Sequence, residues 1–259
     1  MTDIITVDGI HIAQKIVGDA DTPPVILLHG WGANISLLEP LGNGLARVGY
    51  RSYMLDLPGF GESALPPRAW TVHQYAEFVL HYAAFHQLKT FHLFGHSFGG
   101  RLGLILGSQH GDRIDKMVLA NSAGIRPRLP IGVSLRLNTY KALRNGLRNA
   151  GLGMLADRLS LWYNQRYGST DFQNVSGIMR ETFVKVVNQD LQRFAKQVKP
   201  STLLLWGDQD EDTPLWQGKL LEQLIPDAGL VVYEGAGHYS YLDRLVDAIR
   251  VADYFYKQA

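Results

Sequence analysis

The chain has 259 residues, of which 46% are hydrophobic and 19% charged, and its net charge is +1. Such a composition suits one globular domain with a sizeable core and excludes a disordered chain, and so even a charge balance gives no support to a nucleic-acid binder. There is no cysteine, so disulfides, thiolate metal sites and a cysteine nucleophile are excluded.

The first residues, Met1-Thr2-Asp3-Ile4-Ile5, carry no basic segment ahead of an apolar one, and no stretch approaches the roughly 18 apolar residues needed to cross a bilayer. The expectation is a soluble, cytoplasmic protein. Residues 4–7 and 10–17 are β-prone and flank Asp8-Gly9, which predicts a tight hairpin. The runs 24–28, 53–55, 91–94, 117–120, 203–206 and 230–233 are mostly apolar without alternation, as in strands buried on both faces of a parallel sheet.

Helical patterns lie between these runs. Thr71 and Gln74 have the spacing of a capping box, and Tyr75, Val79, Leu80 and Ala83 follow near the 3.6-residue period. Leu102, Ile105 and Leu106 repeat the spacing after Ser97, and Leu242, Leu245, Ile249 and Ala252 do so near the C-terminus. Alternating strands and helices define an α/β fold with a mostly parallel central sheet flanked by helices. The alternation stops between Gly124 and Pro200, where the pattern is helical. The expected organisation is a core of residues 1–123 and 201–259 with an inserted helical cap, or lid, of residues 124–200.

Gly95-His96-Ser97-Phe98-Gly99 is a G-x-S-x-G sequence placed between an apolar run and a helical pattern. That context predicts a sharp strand-to-helix turn that lifts the Ser97 hydroxyl clear of the sheet. Glycines two residues to either side are needed because a Cβ there would meet neighbouring backbone. The helix N-terminus also sets partly positive N–H groups beside an oxyanion.

With His29-Gly30-Trp31-Gly32, Asp56-Leu57-Pro58-Gly59-Phe60-Gly61-Glu62-Ser63, the serine motif, Gly207-Asp208-Gln209-Asp210 with Pro214, and Gly235-Ala236-Gly237-His238 in this order, the sequence resembles the α/β-hydrolase superfamily over nearly its whole length. The resemblance implies a serine hydrolase, carboxylesterase-like, with Ser97 as nucleophile and His238 as its base. Three acids crowd one loop, Asp208, Asp210 and Asp212, and the family pattern selects Asp210 as the carboxylate that orients the base. Asn121 ends an earlier strand where some relatives carry that acid, and it is not ionisable. The backbone N–H of Phe98, the residue after the nucleophile, and that of Trp31, after His-Gly, are the expected oxyanion-hole donors. His29 and His96 are expected to be structural, each bonded to backbone in a tight turn. Asp56 to Ser63 lacks the Gly-Lys-Ser/Thr of a phosphate loop and is assigned no nucleotide.

The implied chemistry is hydrolysis of a small ester or related acyl substrate, a small molecule, with no cofactor and no metal. The same three residues also serve hydrolases of carbon–carbon bonds in ring-cleavage products and slow-turnover small-molecule receptors. An epoxide hydrolase or dehalogenase is disfavoured, since relatives of that kind have aspartate at the position of Ser97.

From Gly124 to Thr170 there are eight Arg or Lys (Arg126, Arg128, Arg136, Lys141, Arg144, Arg148, Arg158 and Arg166) against one acid, Asp157. The stretch is +7, which leaves −6 for the remainder. The preferred reading is a solvated helical face whose charges complement the acidic remainder; attraction to an anionic substrate or an acidic membrane surface comes second. Val133, Leu137, Tyr140 and Leu147 share one helical face, which suggests a lid over a hydrophobic acyl pocket.

Overall fold

A computed structural model describes residues 2–126, 131–167 and 170–258. Asp8-Gly9 joins β1 (Asp3–Val7) to β2 (Ile10–Val17) with φ of +52° and +76°, the left-handed conformation that an Asp-Gly turn supplies. There follow β3 (Pro24–Leu28), α1 (Ile35–Arg47), β4 (Arg51–Leu55), α2 (Val72–Phe85), β5 (Phe91–His96), α3 (Phe98–Gln109) and β6 (Ile114–Ala120). Five helices come next: α4 (Ile131–Asn149), α5 (Gly153–Tyr167), α6 (Thr170–Gln173), α7 (Gly177–Val187) and α8 (Gln192–Ala195). The chain ends with β7 (Thr202–Gly207), α9 (Leu215–Leu224), β8 (Ala228–Tyr233), α10 (Ser240–Asp243) and α11 (Leu245–Lys257).

All eight strands form one sheet in the order β1-β2-β4-β3-β5-β6-β7-β8. β1 and β2 are an antiparallel margin, and the strands from β4 to β8 run parallel. β5 and β7 are buried at every residue, because helices cover both faces. One face packs on α2, α3 and α9, with Leu93, Leu204 and Trp206 at its centre. The other packs on α1 and α11, with Leu27, Phe94 and Leu205. The run at 230–233 is less buried than expected, since β8 is an edge strand and Val232 faces water. α2 begins at the predicted capping box: Thr71 N–H donates to Gln74 Oε1 at 3.0 Å and Gln74 N–H to Thr71 Oγ1 at 3.4 Å. The C-terminal helical pattern is divided at Arg244, whose φ of −124° and ψ of 46° leave the helix.

Between β6 and β7 the described elements are all helices. α7 and α8 lie against the body, burying Met179, Phe183, Val186, Phe194 and Ala195. α4 and α5 pack chiefly on each other, with Tyr140 and Tyr163 stacked 3.9 Å apart and Ala156 buried. Arg128 lies outside the described residues. Among the described residues no helix is long and apolar enough to cross a membrane.

Candidate active site

The parallel strands end on one edge of the sheet, where ligands of open α/β sheets bind. Ser97 stands between β5 and α3 with φ of +50° and ψ of −103°, a strained backbone for a non-glycine residue. The flanking glycines are required by space. A Cβ on Gly95 would come within 2.6 Å of Gly99 O, and one on Gly99 within 2.2 Å of Leu28 O. Ser97 N–H donates to Ala120 O at 3.1 Å, which holds the turn against β6.

His238 sits in the loop after β8. That loop lies so close to the end of β7 that a Cβ on Gly207 would fall 2.2 Å from Ala236 O. His238 Nε2 is 3.0 Å from Ser97 Oγ, and Nδ1 is 2.9 Å from Asp210 Oδ2. The tautomer that serves both contacts carries its proton on Nδ1, donates to Asp210 and accepts from the serine hydroxyl. Asp210, on the loop after β7, is 4% exposed. Its Oδ1 accepts from Asp212 N–H and Thr213 N–H, both at 2.9 Å, and its Oδ2 lies 2.6 Å from Thr213 Oγ1. Burial alone pushes this carboxyl up, but the hydrogen bonds from His238 and Thr213 outweigh it and hold the pKa at about 2.

Two residues that sequence reasoning did not assign complete this arrangement. Asn121, at the end of β6 with φ of +46°, donates from Nδ2 to Asp210 Oδ2 at 2.6 Å. Its Oδ1 in turn accepts from Ser240 Oγ. Thr213 donates its backbone N–H to Asp210 and sets its hydroxyl beside it. Asp208 accepts from Gly235 N–H at 2.7 Å and stands apart from His238, while Asp212 is exposed at the pocket rim. Asp210, Asp212 and His238 bring ligand atoms within 4.8 Å of one another. Both Asp210 oxygens already accept hydrogen bonds, so this group is satisfied without an ion.

His29 and His96 are bonded to backbone, as expected of structural residues. Leu57 N–H donates to His29 Nε2 at 3.0 Å, and Nδ1 is 2.7 Å from Gly30 O. His96 Nε2–H donates to His238 O at 2.9 Å, tying the strand that carries Ser97 to the loop that carries His238. Burial, with the neighbouring His238 adding to it, pushes His96 down to about 3. The Asp56–Ser63 stretch is a turn organised by the Asp56 carboxylate, which accepts from Ile35 N–H at 2.7 Å and Glu62 N–H at 2.8 Å.

The backbone N–H groups of Trp31 and Phe98 donate to no acceptor among the described residues, and both residues line the cavity above Ser97. The Trp31 ring also packs edge-on against Phe60, Phe98 and Phe183. The cavity is about 310 Å³ in volume and half apolar in character, with Arg101, Val186 and Tyr239 among its walls. Phe183, Val186 and Val187 of α7 form its insertion side. The sequence pattern had pointed to the α4 face holding Val133 and Leu137 as the lid, but both are half-buried and, among the described residues, that face lines no part of the cavity.

The alpha/beta hydrolase fold family matches residues 23–245, and the chain belongs to it. It is 26% identical over 244 residues to AB hydrolase superfamily protein YisY of Bacillus subtilis (strain 168), covering 90% of this chain and 91% of that one. It is 25% identical over 247 residues to 2-hydroxymuconate semialdehyde hydrolase of Pseudomonas putida, covering 91% and 88%. An esterase from Exiguobacterium antarcticum superposes with a TM-score of 0.75 at 22% identity, each chain being covered over 100% of its length. At that identity the likeness speaks for the fold alone.

Proposed function

We propose that the protein is a serine hydrolase that cleaves a small ester or related acyl substrate through an acyl-enzyme on Ser97. The observation that carries this reading is the unbroken hydrogen-bonded line from Ser97 Oγ through His238 to Asp210. In the reaction, His238 Nε2 takes the hydroxyl proton as Oγ attacks the carbonyl carbon. Asp210 holds the imidazole in its tautomer and stabilises the cation that forms. Trp31 and Phe98 N–H receive the oxyanion, a contribution of about 3 kcal/mol for each such donor. The leaving group departs with the proton from His238. Water, activated by the same nitrogen, then releases the acid and restores Ser97. This chemistry needs neither metal nor organic cofactor. Residues 124–200 act in this reading as a cap, with α7 as the wall that shapes the acyl pocket.

The test is hydrolysis of p-nitrophenyl esters from acetate to dodecanoate by wild type and Ser97→Ala. Turnover within the common range of about 1–1,000 per second, falling about 10⁴- to 10⁶-fold in the variant, is the expected result. Negligible turnover by folded wild type would overturn the ester reading and direct attention to carbon–carbon bond hydrolysis, the alternative that the same three residues serve.

A further inference from the structure

The α4–α5 hairpin combines cationic and apolar groups on one exposed surface. On α5, Met154, Leu155, Leu161 and Trp162 are 85%, 48%, 58% and 57% exposed. At 3.6 residues per turn these four, with Arg158 and Arg166 interleaved, fall within an arc of about 140°. On α4, Leu135 and Leu143 are exposed two turns apart. Together with Leu159, Trp162, Tyr163 and Tyr167 they line an apolar groove of about 460 Å³ between the helices. The hairpin, residues 131–167, carries six cations against one acid, a balance of +5, and its one ion pair among the described residues, Arg148 with Asp157, is exposed on both sides.

We propose that this hairpin docks on an anionic lipid surface. An exposed apolar arc of this size needs a partner, and a hairpin of +5 favours a negative one. A second copy meeting the same face in a two-fold contact would bring two +5 hairpins together. A nucleic-acid backbone would satisfy the arginines but leave Met154, Leu161 and Trp162 in water. An anionic bilayer satisfies both sets at once. The apolar side chains enter the boundary between headgroups and acyl chains, while Arg158 and Arg166 lay their stems along them and keep their guanidinium groups at the phosphates. This placement is independent of the reaction assigned to Ser97.

Sedimentation with vesicles tests it, using wild type and Ser97→Ala, so that the outcome is separate from that of the hydrolase reading. Both proteins are expected to sediment with phosphatidylcholine–phosphatidylglycerol vesicles and not with phosphatidylcholine alone. Both should be released in 1 M salt, where screening acts over about 3 Å. Each cation near such a surface is worth about fivefold in partitioning, so Arg158→Gln with Arg166→Gln should weaken binding about 25-fold. Turnover of p-nitrophenyl acetate and the unfolding temperature should be unchanged in that variant. A blue shift of tryptophan fluorescence on vesicles should vanish in Trp162→Phe, with affinity kept within about threefold. Three results would overturn the proposal: equal or absent binding to the two vesicle types, full binding by the double arginine variant, and tighter variant-sensitive binding to DNA or RNA than to vesicles.

Discussion

At the end of the sheet, Asp210 is almost wholly buried and accepts hydrogen bonds from Asn121, Asp212, Thr213 and His238. About fifty residues earlier in the chain, on α5, Leu161 and Trp162 face water and Arg158 has no acidic partner among the described residues. The first region fixes its side chains by mutual constraint: the Asp210 oxygens are held by donors from four residues, so the carboxylate is oriented before any ligand arrives. The second leaves its strongest groups unmatched within the molecule. Stability is therefore concentrated where chemistry is proposed, and unspent affinity is concentrated in the hairpin.

The sharpest way to break the first region is Asp210→Asn. Asparagine keeps the shape but loses the charge that selects the His238 tautomer, and its amide N–H₂ is set against the donors that now point at a carboxylate. kcat is expected to fall about 10⁴-fold with little change in KM, read by steady-state kinetics on the best p-nitrophenyl ester.

Next in size is a pH effect on stability. His96 is held at about 3 in the fold against 6.5 for a free side chain, so between those values only the unfolded chain takes up the proton. Its contribution is complete above pH 6.5 and is lost as pH falls towards 3, by roughly 5 kcal/mol across that window. His29, also lowered mainly by burial, acts in the same direction. Urea unfolding at intervals of pH should show this slope, and His96→Asn should flatten it.

The smallest effects compare the two regions directly. Leu204→Ala, in the fully buried β7, should cost about 2–5 kcal/mol in thermal or urea unfolding. Leu161→Ala, the same truncation on the exposed face of α5, should stay within about 0.5 kcal/mol.

The strands and the Ser97 turn were legible because parallel strands need apolar residues on both faces and the turn needs glycine at 95 and 99. The helical patterns taken from the sequence did not include α1, which contains Pro40, Gly42 and Gly44, residues of low helix propensity. The two glycines are there for contact: a Cβ on Gly42 would meet Met54 Sδ at 2.6 Å, and one on Gly44 would meet Ile249 Cδ1 at 2.1 Å. The parts played by Asn121 and Thr213 were equally hidden, because Asn121 meets an acid 89 residues away that the fold alone brings near. In the hairpin, periodicity showed which residues share a face and could not show what covers it. Of the face read as a lid, Tyr140 stacks on Tyr163 of α5, while Leu135 and Leu143 beside it are exposed.

β6 and β7 are neighbours in the sheet, with Ala120 paired to Leu205. The two strands are parallel, so the chain leaves the body after Ala120 and re-enters at Thr202, opposite Met117, about 11 Å away. Closing a long excursion between such points costs little more than closing a short one, since the entropy grows only with the logarithm of length. The helical excursion can thus be lengthened, shortened or exchanged between lineages without moving a strand, and new surface preferences can be tried on a chassis whose chemistry stays in place.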